Sequence, residues 1–307
     1  MSDTPVLIEA VINGVVPKSF NPHVPHSVDE VRADAEAVFE AGASMVHNHA
    51  PPDAGGLNGM DFYVEAWRPI LARRPGAILY PTVRSHGSLH DRLGHVFALN
   101  DLGLTRVGAI DPGSLNLGVL GEDGAPAPGE HVYANPLSIV SQAIDTCFRR
   151  RMAMTFAIFE PTFLHTVLAF LRAGRLPPGT WIKFYLGGAG GYPGTAPNGR
   201  MLPFGLPPTR RALDAYLEIL GDAPLAWGVS AVGADLFETG IARAALERGG
   251  HLHLGLEMFA GERQPSNVEL VREAVALCAE LGRPPLPWDR TADHLGFPQA
   301  TPPDSAP

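Results

Sequence analysis

Cysteine is almost missing: Cys147 and Cys278 are the only two in 307 residues. They are too few and too far apart for the disulfide framework of a small secreted domain, and a reducing compartment, the cytoplasm, is the expected address. No run of about 18 apolar residues occurs, and "MSDTPVLIEAV" lacks a basic stretch leading into a long apolar one, so neither a membrane span nor a secretion signal is expected. Basic tracts are lacking too, beyond Arg149 to Arg151. With a formal charge of −9, the chain offers little to a phosphate backbone, which excludes nucleic acid as an expected partner. What is present is apolar material, 45% against 18% charged residues, enough for a large core and unlike a disordered chain.

The order of elements then decides the fold class. Apolar runs at 6–12, 44–50, 77–82, 105–110, 152–159, 181–187, 225–230 and 252–257 read as strands. Helical spacing fills 27–42, 60–73, 89–101, 136–150, 162–173, 208–220, 235–248 and 266–281. Ser27 and Glu30 stand at capping-box spacing, and Gly42 is placed to end the first helix. Eight alternating pairs predict an α/β fold of the closed (β/α)8 TIM-barrel type, a single domain over 1–307 with a Pro-rich C-terminal arm at 284–307. An open doubly wound sheet would open on a glycine-rich dinucleotide turn, which "INGVVP" is not. The Pro- and Gly-rich stretches at 121–129 and 187–208 read as loops inserted after strands.

The second strand ends in "MVHNHAPPDAGG". In an extended chain His47 and His49 point the same way, about 6.6 Å apart at a rise of about 3.3 Å per residue, close enough to share one ion. They sit at the C-terminal end of the strand, the face on which barrel enzymes build active sites. His-X-His alone also suits a structural pair. A third ligand candidate, Glu257, closes the eighth strand, which a closed barrel brings beside strands one and two. Two imidazoles and a carboxylate leave open positions on zinc or another divalent ion. A second pair, His251 and His253, opens its strand on the opposite face and reads as structural. Polar residues at other strand ends, namely Thr82 with Arg84 and Ser85, Asp111, Glu160 and Ser230, are candidates for the same rim. "GGAGGYPG" (187–194) offers backbone amides, at Gly188 and Gly190, to an oxyanion or carboxylate, or is simply a flexible turn.

These residues resemble the β-keto acid cleavage enzymes, the 3-keto-5-aminohexanoate cleavage enzyme among them. The likeness runs from about residue 5 to 285 and is clearest in "FEAGASMVHNHAPPDAG", "DPGSLNLG", "KFYLGGAGGYPG", "GGHLHLGLEMF" and "SNVELVREAVALCAELGRPP". The resemblance implies an oligomeric barrel, a dimer or tetramer, with zinc held by His47, His49 and Glu257. It implies condensation of a β-keto acid with acetyl-CoA and cleavage to acetoacetate and an acyl-CoA. It further places Thr82 where the family has a serine near the substrate, Asp111 at its polar strand-four position, and Glu160 at its strand-five glutamate. Several family groups are replaced. Met258 stands for an acidic residue after the ligand glutamate, Ala234 for an arginine, and Val16 for the glutamate that meets a substrate amino group, while "HNHAPPD" lacks the family arginine. Glu160, then Asp111, then a ligand-assisted route are the expected candidates for the general base, and the apolar Val16 predicts an acid with a neutral or apolar end. A CoA-independent aldolase or hydrolase and a non-catalytic ligand-binding barrel are the alternatives.

Overall fold

A computed structural model describes residues 4–128, 132–193 and 201–298. Among the described residues ten strands occur: β1 Ile8–Val11, β2 Met45–Asn48, β3 Leu79–Pro81, β4 Val107–Ala109, β5 Leu115–Asn116, β6 Val132–Tyr133, β7 Ala153–Ile158, β8 Trp181–Gly187, β9 Ala226–Val232 and β10 His251–Leu254. Eight form one parallel sheet in the order β3-β2-β1-β10-β9-β8-β7-β4. The ends β3 and β4 meet without a described backbone ladder, and the Thr105 hydroxyl bridges them by donating to the Leu79 carbonyl at 2.8 Å. The result is the expected TIM barrel, nearly closed. The extra pair, β5 and β6, is an antiparallel hairpin inserted after β4.

The helices are α1 Val28–Ala41, α2 Met60–Arg73, α3 Leu89–Asp101, α4 Leu137–Arg149, α5 Pro161–Arg172, α6 Arg210–Leu220, α7 Ile241–Glu247, α8 Asn267–Glu280 and α9 Thr291–Leu295. The capping box at Ser27 and Glu30 is formed, and Gly42 ends α1 in the left-handed conformation. No helix among the described residues is long and apolar enough to cross a membrane.

Three departures bear on the site. The eighth barrel strand stops at Leu254, because Gly255 turns with φ 150° and a Cβ there would lie 2.1 Å from the Val11 carbonyl. Glu257 therefore sits in the turn after β10. The helix expected from 235 begins only at Ile241, since the Asp235 carboxylate accepts from the amides of Phe237 and Glu238 and holds that segment in turns. Finally, residues 284–298 do not extend as an arm. Val6 pairs through its backbone with Pro284 and Leu286, and Phe297 stacks on Trp181 at 6.1 Å, closing the N-terminal end of the barrel over a cluster that includes Leu7, Met45 and Tyr80. Residues 299–307 lie outside the described ones.

Candidate active site

Register brings three ligand-type side chains together. β1 pairs with both β2 and β10, with Val11 beside His47 and Ala10 beside Leu254. His47 Nε2 lies 3.4 Å from Glu257 Oε2, and His49 Nε2 lies 3.2 Å from Glu257 Oε1. The ligand atoms of all three fall within 4.8 Å of one another. Each is held from behind. The His47 Nδ1–H donates to the Tyr80 carbonyl at 3.1 Å, a tautomer assigned from that contact, which turns the Nε2 lone pair toward Glu257. Asn13 clamps the backbone of His49, accepting from its amide at 2.8 Å and donating to its carbonyl at 3.0 Å. The Tyr192 hydroxyl donates to Glu257 Oε1 at 2.7 Å.

The trio fits a divalent ion. His49 Nε2 and Glu257 Oε2 are buried with no hydrogen-bond partner among the described residues, a costly state unless a cation gathers them. Two nitrogens and a carboxylate oxygen are donors that zinc accepts. Burial pushes His47 down to about 3, so its imidazole is neutral at physiological pH. Burial opposes the charge on Glu257, but the facing His49 and His47 and the Tyr192 hydroxyl outweigh it and hold the carboxyl below the ordinary range. Both groups thus stand in the form that binds metal. Gly14 makes the approach possible: it has φ 59°, and a Cβ there would meet Glu257 Cγ at 2.5 Å. Gly14→Ala is expected to displace Glu257, lowering stability by about 1–3 kcal/mol and releasing metal, which thermal denaturation and elemental analysis would read together. Undiminished metal content in that variant would show that the close approach is dispensable.

Beside the trio opens a pocket of about 270 Å³. Thr82, Ser85 and Asp111 line it, as expected from their strand ends. Asp111 accepts a hydrogen bond from the Tyr133 hydroxyl, carried by the inserted hairpin, and burial raises its carboxyl to about 6. Other expected residues lie elsewhere. Glu160 caps α5 and accepts from the Gly205 amide at 3.0 Å, outside the pocket lining. Arg84 lines the adjoining groove, which shares Val15, His49, Thr82, Val83 and Ser85 with the pocket. The amides of Gly188 and Gly190 are not available to an anion, because they donate to the carbonyls of Val232 (2.7 Å) and Gly233 (3.0 Å) and tie the loop to the end of β9.

The replaced family positions also point elsewhere. Met258 and Ala234 face a small void behind Glu257 together with Ser230, Leu236 and His253. Val16 is buried, and it is Val15 that lines the pocket. His251 is structural, its Nδ1 accepting from the Leu7 amide at 3.1 Å at the start of β10.

A further cluster lies inside the barrel, away from the strand ends. Lys183 Nζ is 3.0 Å from the Tyr80 hydroxyl and 3.4 Å from Glu9 Oε1. Trp181 Nε1 donates to Glu9 Oε2 at 3.1 Å, and the Tyr80 hydroxyl donates to Glu9 Oε1. Burial pushes the Glu9 carboxyl up, opposed by the Lys183 ammonium and the Trp181 N–H. The signal was present: Glu9 in "LIEAV" and Lys183 in "WIKFY" are lone charges within apolar strands.

A family model described as beta-keto acid cleavage enzyme matches residues 5–297. The chain is 24% identical over 301 residues to a 3-keto-5-aminohexanoate cleavage enzyme of Acetoanaerobium sticklandii, covering 95% of this chain and 98% of that one. It is 26% identical over 302 residues to a 3-oxoadipate:acetyl-CoA acetyltransferase of Cupriavidus necator, covering 96% and 95%. Among solved structures, ObcA in a ternary complex with a C4-CoA adduct and oxalate superposes with a TM-score of 0.65 at 18% identity, over 90% of this chain and 68% of that one. This last likeness is one of fold.

Proposed function

The chain belongs to the β-keto acid cleavage enzyme family, and from that premise we propose that it transfers an acyl group between a β-keto acid and acetyl-CoA, with a divalent metal, zinc in first place, held by His47, His49 and Glu257. The acid and acetyl-CoA exchange acyl parts: the carbon–carbon bond between C2 and C3 of the acid breaks, the acetyl group joins the two-carbon fragment as acetoacetate, and the remaining acyl part leaves as its CoA thioester. The observation that carries this reading is the trio itself, its buried orphan atoms facing a pocket that also holds a carboxyl able to change charge near pH 6. Bound there, the ion would supply electrophilic stabilisation of negative charge on the substrate oxygens.

The chain's own groups divide the remaining work. Asp111 takes the general-base role, since it lines the pocket and its carboxyl is tuned close to the operating pH, whereas Glu160 is engaged by Gly205. The Tyr133 hydroxyl fixes the orientation of that carboxyl. Thr82 and Ser85 contact the acid at the rim, and Arg84 in the adjoining groove of about 650 Å³ is placed to meet the phosphates of acetyl-CoA. Val15, Val83, Leu117 and Phe159 give the pocket apolar walls that keep water from the reacting thioester. We further propose a cytoplasmic homo-oligomer, a dimer or tetramer.

The turn at Val15 and Val16 offers no carboxylate to a substrate ammonium group. Incubation of the purified enzyme with a panel of β-keto acids, with and without acetyl-CoA, is expected to give new CoA esters by mass spectrometry only when acetyl-CoA is present. Amino-substituted acids are expected to be the poorest substrates. Cleavage without acetyl-CoA would replace this reading by an aldolase or hydrolase, and preferred turnover of an amino-substituted β-keto acid would overturn the inference from the valines.

A further inference from the structure

We propose that Lys183 and Thr155 form an anion subsite at the floor of the pocket, which receives a carboxylate of the bound acid; this rests on the keto-acid reading above. Lys183 is the third residue of β8 and points into the barrel, 4% exposed, and it lines the pocket. An ammonium carries three N–H donors. The Tyr80 oxygen takes one, since its own proton goes to Glu9, and Glu9 takes a second over a longer 3.4 Å. The third has no acceptor among the described residues.

Thr155 supplies the independent observation. It lies on β7, where Thr155 pairs with Trp181 and Ala157 with Lys183, so the two side chains come from adjacent strands one step apart on the inward face. Its hydroxyl is 1% exposed in residue terms, lines the same pocket, and has no hydrogen-bond partner among the described residues. Two donors without acceptors, one of them charged, thus converge on one cavity floor, a costly arrangement for a structural pair and a suitable one for a two-oxygen anion.

Glu9 does not cancel this from the ligand's side. Its oxygens are occupied by Trp181, Tyr80 and Lys183, and it is absent from the pocket lining, so a bound acid meets the cation and not its counter-ion. Lys183 is also the one Lys or Arg among the described lining residues. The floor is coupled in space to the metal trio, because the ring of Tyr80, whose hydroxyl bonds Lys183, packs against His47 at 4.6 Å.

The test is calorimetric titration of the purified enzyme, without acetyl-CoA, by acetoacetate and by 3-oxoadipate. Lys183→Met is expected to weaken binding by roughly 10- to 100-fold and Thr155→Val by roughly 3- to 10-fold, the range for hydrogen bonds to charged groups and to neutral ones. Metal content and affinity for acetyl-CoA should stay as in the wild type. Equal losses for both acids place the shared carboxylate on the floor, and a loss confined to 3-oxoadipate places its distal carboxylate there. Affinities unchanged within a factor of about two in both folded variants, or no binding of either acid by the wild type, would overturn the proposal. Should Lys183→Met fail to fold, Thr155→Val decides alone. Lys183-dependent binding by an enzyme that makes no CoA ester from any acid would sink the family reaction for this chain and leave the subsite standing.

Discussion

His47→Ala is expected to leave the enzyme with little of its metal and with turnover lower by on the order of 10³-fold, the several kcal/mol that an electrophilic ion contributes. The expectation follows from how the imidazole is held. Its Nδ1–H is spent on the Tyr80 carbonyl, burial keeps the ring neutral, and Nε2 is left facing Glu257. Loss of an outer partner alone typically costs 10- to 100-fold in metal affinity, roughly, and loss of a ligand costs more. The alanine variant also leaves the buried Glu257 with one imidazole instead of two, so its charge is less well compensated. His251→Ala is the control. That histidine accepts a backbone hydrogen bond at the far end of β10, and its loss should lower stability by about 1–3 kcal/mol with metal content unchanged. Elemental analysis of both proteins separates the roles, and full metal content in His47→Ala would remove His47 from the ligand set.

Position along a barrel strand made one part of this legible in the sequence: the pair at the C-terminal end of its strand, His47 and His49, is the one gathered with Glu257, whereas His251 bonds the Leu7 amide at the start of β10. The alternation of apolar runs likewise reveals the barrel, and the bounds of α2 and α3 agree with their helical spacing. What strand-end reasoning does not reach is the direction of a single side chain outside regular structure. Val15 and Val16 differ by one position, and so do Glu257 and Met258, yet in each pair the first faces the pocket while the second is buried away from it. Nor does it reveal that the Gly188 and Gly190 amides are consumed by the end of β9, a contact set by the path of two loops. The Glu9 to Lys183 pairing spans 174 positions. Each partner reads alone as an anomaly in an apolar strand, and only closure of the barrel joins them to Tyr80, whose ring packs against His47.

Asp111→Asn is expected to lower turnover by roughly 10²- to 10⁴-fold, the usual contribution of a general base, and to remove the limb of the pH–rate profile near 6. The same substitution should raise stability at pH 8, and the sign follows from the carboxyl's shift. Its ordinary value is 3.8 and burial raises it to about 6 in the folded protein, so between those values the native state binds more protons than the unfolded chain. Stability from this group is therefore greatest at low pH and is lost as pH rises through 6, where a charge must be carried in the pocket wall. Asparagine carries none and can still accept the Tyr133 hydroxyl through its carbonyl oxygen. The gain at pH 8 should be on the order of 1 to 2 kcal/mol, allowing for the side of Asp111 that opens to the pocket, and it should vanish below pH 4. Thermal denaturation at the two pH values measures it. Glu160→Gln should change turnover no more than a few-fold, because that carboxylate is occupied with the Gly205 amide. A slow Glu160→Gln beside a fast Asp111→Asn would return the base to Glu160 and require the Gly205 contact to break when the acid binds.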